Sequence, residues 1–190
     1  KQYINELSSK YLNDETNAAF VSFSGGKDST VVSDLVRKAL ANPSIIHIFG
    51  NTTLEFPHTY DYVARFRAEN RKTPMLRAEN KEQDFYRVCE DIGPPARMMR
   101  WCCSMFKTGP ITRILNNLYK DAQILTFYGI RKYESVSRSK YDRVSSNNES
   151  VKIQKQTVAA PIFDWRDIDV WLYLLGEKVD FNDAYRLGYD

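Results

Sequence analysis

The run Ser24-Gly25-Gly26-Lys27-Asp28-Ser29 stands between an apolar stretch, Ala18-Ala19-Phe20-Val21-Ser22-Phe23, and Thr30-Val31-Val32-Ser33-Asp34-Leu35-Val36. Read as strand, glycine turn and helix, it gathers backbone N–H groups and the positive end of a helix dipole around one point, where phosphate oxygens can sit. At average residue frequencies the hexapeptide arises by chance in roughly one chain in 10^5. It is therefore read as a functional anion cradle rather than as a glycine turn carrying a solvated lysine.

Outward from this turn, strand and helix signals alternate. The helix after the turn is predicted over 29–41, ending before Asn42-Pro43. Ser44-Ile45-Ile46-His47-Ile48-Phe49 is a continuous apolar run of the kind found where helices cover both faces of a sheet. A turn at Gly50-Asn51-Thr52-Thr53 leads to a helix from Pro57, a residue suited to a first helical turn. A strand over 73–77, a helix over 82–91, a break at Gly93-Pro94-Pro95, a helix over 110–119 and a strand over 122–128 continue the series. Before the turn, Tyr3, Ile4, Leu7 and Tyr11 have helical spacing, so residues 1–17 are read as an N-terminal helix that covers the sheet.

A short strand near 151–158 and a helix over 167–175 complete the core, with Trp165, Ile168, Trp171 and Leu172 read as its inward face and Asp164 as its cap. Residues 129–150 are polar and read as a lid or flap, loosest at Ser145-Ser146-Asn147-Asn148-Glu149-Ser150. The fold class is α/β: a mainly parallel sheet with helices on both faces, right-handed crossovers, and ligands bound beyond the carboxyl ends of the strands.

Composition sets the frame. At 190 residues, 43% hydrophobic and 27% charged, the chain suits one ordered domain. A net charge of +3, with 27 basic residues interleaved with 24 acids, gives no concentrated basic face, so nucleic acid is not indicated as a partner. No apolar run approaches membrane-spanning length and the start lacks the apolar core of a secretory signal, so a soluble cytoplasmic protein with no membrane partner is expected. The three cysteines, Cys89, Cys102 and Cys103, form no even-numbered framework and fit a reducing compartment. The chain does not begin with Met and stops without a closing element, which suggests a domain cut from something longer.

The loop is neither of the two commonest phosphate loops. A Walker loop needs glycine where Val21 stands and Ser or Thr where Asp28 stands, and adjacent Gly25-Gly26 do not fit G-x-G-x-x-G. It resembles instead the pyrophosphatase-loop (PP-loop) ATPases of the adenine nucleotide α-hydrolase superfamily, whose signature is Ser-Gly-Gly-x-Asp-Ser. Four further segments narrow the resemblance to the branch holding phosphoadenosine phosphosulfate (PAPS) reductases, the nucleotide-binding subunit of ATP sulfurylase and a DNA sulfur-modification ATPase. They are Gly50-Asn51-Thr52-Thr53-Leu54-Glu55-Phe56-Pro57, Arg100-Trp101-Cys102-Cys103-Ser104-Met105-Phe106-Lys107, the stretch from Gly129 through Arg131 and Glu134 to Arg138, and the stretch from Ala160 to Trp171. They occur in the family's order and the likeness spans 18–190, which is read as the PP-loop nucleotide-binding domain.

The resemblance implies an adenine nucleotide (PAPS, adenylyl sulfate or ATP) bound by Ser24, Gly25, Gly26, Lys27, Asp28, Ser29, Asn51, Lys107, Gly129 and Arg131. Lys27, Asp28, Arg131 and Arg138 are the candidate catalytic residues. Two guanidiniums beyond a strand end suit bidentate gripping of phosphate or sulfate oxygens, with Glu134 orienting one of them; a solvated basic loop is the plain alternative. Asp28 is a candidate to hold Mg²⁺ through water. Cys102 and Cys103 resemble half of an iron–sulfur site that some sulfonucleotide reductases complete with a later Cys-x-x-Cys. No such pair occurs here, and a cubane takes four thiolates, so the two qualify as metal ligands only in a longer chain and otherwise read as a buried reduced pair. His47, inside an apolar strand, and His58, where many relatives carry an acid, have no ligand spacing.

The expected function is that of a PAPS reductase-family enzyme of sulfur metabolism, reducing a sulfonucleotide to sulfite with a thiol reductant. The intact loop supports an alternative, an ATP pyrophosphatase or adenylyltransferase, with Lys27, Arg131 and Arg138 stabilising charge on the transferring group. A third possibility is a non-catalytic nucleotide-binding module of a larger multidomain protein.

Overall fold

The apolar runs become strands and the periodic segments become helices. A computed structural model describes residues 1–12, 18–119, 122–147 and 156–189. The strands are β1 (Ala18–Phe23), β2 (Ile46–Asn51), β3 (Met75–Glu79), β4 (Ile124–Phe127), β5 (Val144–Asn147) and β6 (Gln156–Ala159). The helices are α1 (Gln2–Tyr11), α2 (Lys27–Ala39), α3 (Pro57–Glu69), α4 (Phe85–Ile92), α5 (Gly109–Leu118) and α6 (Asp167–Gly176). The six strands form one sheet in the order β3-β2-β1-β4-β6-β5, parallel throughout except for the antiparallel β5–β6 pair.

Side chains alternate across a strand, and β1 shows what covers each face. Val21 packs with Val31, Val32 and Leu35 of α2, Ile4 and Leu7 of α1, and Val170 and Leu174 of α6. Phe20 packs on the other face with Ile48, Ala78 and Leu115 of α5. Further along the first face, Phe23 and Phe49 meet Tyr62, Val63 and Phe66 of α3. Both faces are dry, as the continuous apolar run of β2 requires. Among the described residues no helix is long and apolar enough to cross a membrane.

Several boundaries differ from the sequence reading, each for a local reason. β2 starts at Ile46 rather than 44 because the Asn42 carboxamide accepts the Ser44 N–H (2.9 Å) and keeps that residue in a turn. α2 starts at Lys27, since Gly26 is extended (φ −85°, ψ 163°) and serves as the N-cap. Residues 145–147, read as the loosest part of a flap, form β5, whose polar sequence suits an edge strand with a ladder on one side only. Residues 148–150, and 151–155 of the strand expected before β6, lie outside the described residues.

The inward face of α6 is corrected in part: Trp165 and Trp171 pack against the core as expected, but Ile168 and Leu172 do not. Val170 and Leu174 are its buried residues, whereas Ile168 and Leu172 are 53% and 63% exposed. The helix starts at Asp167, and its cap is Arg166, whose N–H donates to the Asp169 carboxylate (2.8 Å). Asp164 does not cap it but pairs with Lys132 (2.7 Å).

β1 lies between β2 and β4, so the connections leave it in opposite directions, and the crevice at its carboxyl end is where a ligand fits in such sheets. The loop after β4 closes on the start of α2 there. A Cβ on Gly129 would stand 2.8 Å from both the Asp28 carbonyl carbon and the Ser29 nitrogen, and backbone cannot give way as a side-chain tip can. Gly129→Ala is expected to cost about 1–3 kcal/mol, read as a lower midpoint in urea unfolding.

His47 is fully buried in β2 with both ring nitrogens engaged: Nδ1–H donates to the Ile45 carbonyl (2.9 Å) and Nε2 accepts from the Ser33 hydroxyl (2.7 Å). Burial pulls its pKa from 6.5 down to about 4. Because the folded value lies below the unfolded one, this contribution is complete above pH 6.5 and is lost as the pH falls to about 4. The loss is on the order of 3 kcal/mol at about 1.36 kcal/mol per pKa unit. Urea midpoints between pH 7 and pH 4.5 should fall less steeply in His47→Gln than in the parent.

Candidate nucleotide site

Three residues, Ser24 to Gly26, connect β1 to α2. Gly25 has φ +76°, a conformation that side chains other than glycine rarely adopt, and its carbonyl accepts from the Asn182 carboxamide (3.3 Å). The two serines shape the turn. Ser29 Oγ donates to the Gly26 carbonyl (2.9 Å) and accepts from the Ser24 N–H (3.2 Å), while Ser24 Oγ accepts from the Gly26 N–H (3.3 Å). The Lys27 N–H, in the first turn of α2, donates to the Tyr185 hydroxyl (3.1 Å).

Two cations meet beside this turn. The Lys27 side chain is 7% exposed, and its Nζ lies 3.4 Å from Asp167 Oδ1 and 4.9 Å from the centre of the Tyr185 ring. Arg131 is 6% exposed; its Nε donates to Asp28 Oδ1 (2.6 Å) and its Nη2 to the same Asp167 Oδ1 (3.0 Å). The Trp171 indole N–H donates to the other oxygen of Asp167 (3.0 Å). Lys27 and Arg131 thus converge on one carboxylate oxygen at the mouth of the glycine turn.

Burial alone would pull the Arg131 pKa down, but the carboxylates of Asp28, Asp167 and Glu134 outweigh it and hold the guanidinium protonated. Burial holds the Asp28 carboxyl above its ordinary range, and Arg131, then Lys27, offset that only in part. Glu134 accepts from the Arg131 backbone N–H (3.0 Å) and pairs with Arg138, so it orders the loop that carries both arginines. The arrangement can grip oxygens of a phosphate or sulfate without recruiting charge from solvent.

The remaining sequence candidates take different positions. Asn51 is 1% exposed, and its carboxamide is occupied: it donates to Glu79 (2.9 Å) and accepts from Tyr60 (2.8 Å) and the Thr53 N–H (3.2 Å). It fixes the turn after β2. Lys107 is exposed in a π-helical segment, Cys103–Thr108, which runs directly into α5. Arg138 is 40% exposed and tied to Glu134.

Both Asp28 oxygens face the Arg131 guanidinium, at 2.6 and 3.5 Å, and among the described residues no group of three or more His, Cys, Asp or Glu side chains could hold a metal. Cys102 and Cys103 are free, half-buried thiols at the entry to the π segment, short of the four a cubane takes. The described residues do not by themselves make up a resident Mg²⁺ or cluster site.

Sequence reasoning missed Asp167, Tyr185 and Asn182. Asp167 reads only as a helix start, and the residues that join it to the loop lie far off in sequence; Tyr185 is 158 positions from the amide it accepts from. The segment carrying Tyr185 and Asn182 is held in place by Arg65, which reaches from α3 to Asp180 (2.7 Å) and Asp183 (2.9 Å).

Comparison with known proteins places this geometry. The family model of the phosphoadenosine phosphosulfate reductase domain matches residues 18–190. The chain is 41% identical over 171 residues to an uncharacterised protein of Methanocaldococcus jannaschii, covering 90% of this chain and 34% of that protein. It is 28% identical over 172 residues to an adenosine 5'-phosphosulfate reductase of Oceanobacillus iheyensis, covering 86% of this chain and 64% of the reductase. A crystal structure of a PAPS reductase from Candida auris, in complex with phosphate, superposes with a TM-score of 0.67 at 16% identity, covering 100% of this chain and 93% of that one, which shows a shared fold. The chain spans about a third of the length of the archaeal relatives it matches. With the loop, the strand order and the match over 18–190 in agreement, this chain belongs to the phosphoadenosine phosphosulfate reductase family of the PP-loop superfamily.

Proposed function

We propose that residues 18–190 form a nucleotide-binding domain that takes an adenine sulfonucleotide, adenylyl sulfate or PAPS, by its phosphosulfate group and takes part in its reduction to sulfite. The single observation that carries this reading is the convergence of Lys27 and Arg131 on one oxygen position beside the glycine turn. In the proposed reaction a thiolate forms a bond to the sulfonate sulfur, the sulfur–oxygen bond to the phosphate breaks, and the nucleotide leaves with the bonding pair. A second thiol then releases sulfite and leaves a disulfide. Lys27 and Arg131 draw charge from the departing phosphate, Asp28 keeps Arg131 aimed, and Arg138 closes over the group from the loop beyond β4. The thiols come from a reductant or from another part of a longer protein, in a reducing, cytoplasmic setting.

One observation favours a second reading. The loop retains the complete Gly-Gly-Lys-Asp pattern with two buried cations, as attack on the α-phosphate of ATP with loss of pyrophosphate would need. Isothermal titration of the chain with adenylyl sulfate, PAPS, ATP and AMP tests both. Adenylyl sulfate or PAPS should bind at least tenfold more tightly than AMP, and Lys27→Ala should weaken binding roughly 10- to 100-fold, the worth of a charge-assisted hydrogen bond. Sulfite release with dithiothreitol supports the first reading, and pyrophosphate release from ATP the second. Binding without turnover is the outcome expected of a nucleotide-binding module whose chemistry is supplied by another part of a longer protein, and binding that ignores Lys27→Ala overturns the site.

A further inference from the structure

We infer that Asp167 is a built-in competitor for the anion site: its carboxylate holds the place that a substrate oxygen takes, and so sets how much negative charge a ligand must carry to enter. The inference rests on the proposed nucleotide reading, which it deepens from a site to a selection rule.

Asp167 Oδ1 lies 3.4 Å from Lys27 Nζ and 3.0 Å from Arg131 Nη2, contacts a phosphate or sulfate oxygen would make with the same groups. The three partners differ in their freedom to move. The Lys27 and Arg131 side chains are 7% and 6% exposed, whereas Asp167 is 52% exposed at the first residue of α6. An entering anion therefore displaces the acid towards water, breaking its bond from the Trp171 indole N–H (3.0 Å), and leaves the cations where they are. The start of α6 does not depend on Asp167, because Arg166 and Asp169 form its cap.

Charge decides which ligands succeed. Asp167 contributes one negative charge to the pocket, so a ligand group of charge −1 that displaces it merely exchanges one anion for another. A group of charge −2 or more gains attraction that Asp167 cannot match. Arg131 keeps its 2.6 Å bond to Asp28 throughout, so the guanidinium is never left buried without a partner. The site would thus reject singly charged anions and admit polyphosphate or phosphosulfate.

The test is isothermal titration of the full chain with inorganic pyrophosphate, comparing the parent with Asp167→Asn, Asp167→Ser, Asp167→Glu, Asp164→Asn and Lys27→Ala. Asp164 is the control for a general change in field, being 53% exposed and paired with Lys132. Asp167→Asn and Asp167→Ser should each bind pyrophosphate about fivefold more tightly, the scale of removing a partly exposed ion-pair partner. Asp167→Glu and Asp164→Asn should stay within about twofold of the parent. Unchanged or weaker binding in the Asn and Ser variants would show that Asp167 positions the cations rather than competing for them, and equal tightening in Asp164→Asn would reduce the effect to overall charge. Either result overturns the inference while the loss in Lys27→Ala leaves the nucleotide site standing; absence of pyrophosphate binding in every protein removes both.

Discussion

Keeping two cations out of water at the carboxyl end of the sheet is the constraint around which this domain is arranged. A buried charge without a partner costs several kcal/mol, and breaking a buried pair by removing one side typically costs about 3–5 kcal/mol. Lys27 and Arg131 can stay buried only while the turn after β1, the loop after β4, the head of α6 and the segment bearing Tyr185 all reach the same spot. The demands of folding and of anion recognition therefore fall on the same residues. This accounts for the backbone contact at Gly129 and for the Arg65 clamp, which has no part in gripping a ligand but holds the Tyr185 segment against the turn.

What could be read from the sequence was what is local or strongly periodic. The glycine turn announces itself within six residues, and the alternation of apolar runs with helical spacing is enough for a mainly parallel sheet. The order of the four motif segments adds the family. Asp167 and Tyr185 were not legible in the same way, because their meaning depends on which loops the sheet brings together. The error at α6 has a different origin. Trp165 and Trp171 do pack against the core, but Ile168 and Leu172 of the same stripe are exposed while Val170 and Leu174 are buried; in an apolar helix spacing alone does not choose between two stripes, and packing against α2 does.

Asn51 shows how a residue at the ligand end of such a sheet can have its side chain engaged within the protein. It sits at the end of β2, next to the central strand, where ligands of such sheets gather, yet every polar atom of its side chain is committed to Glu79, Tyr60 and the turn that follows. Its contribution is to the shape of the rim. The cysteines are a parallel case: adjacent in sequence and half-buried, they lack both a mutual bond and a third ligand among the described residues.

The π-helical stretch before α5 determines where those two thiols point. A π turn inserts one extra residue into an α-helical path, so everything ahead of Cys103–Thr108 is rotated about the axis by roughly 100° relative to a continuous α-helix. Leu115, on the far side of that insertion, stays locked into the sheet. A single-residue deletion in this stretch would swing the Cys102 sulfur to a new bearing and would also shift Phe106, which is buried in the same segment against Phe85 and Trp101.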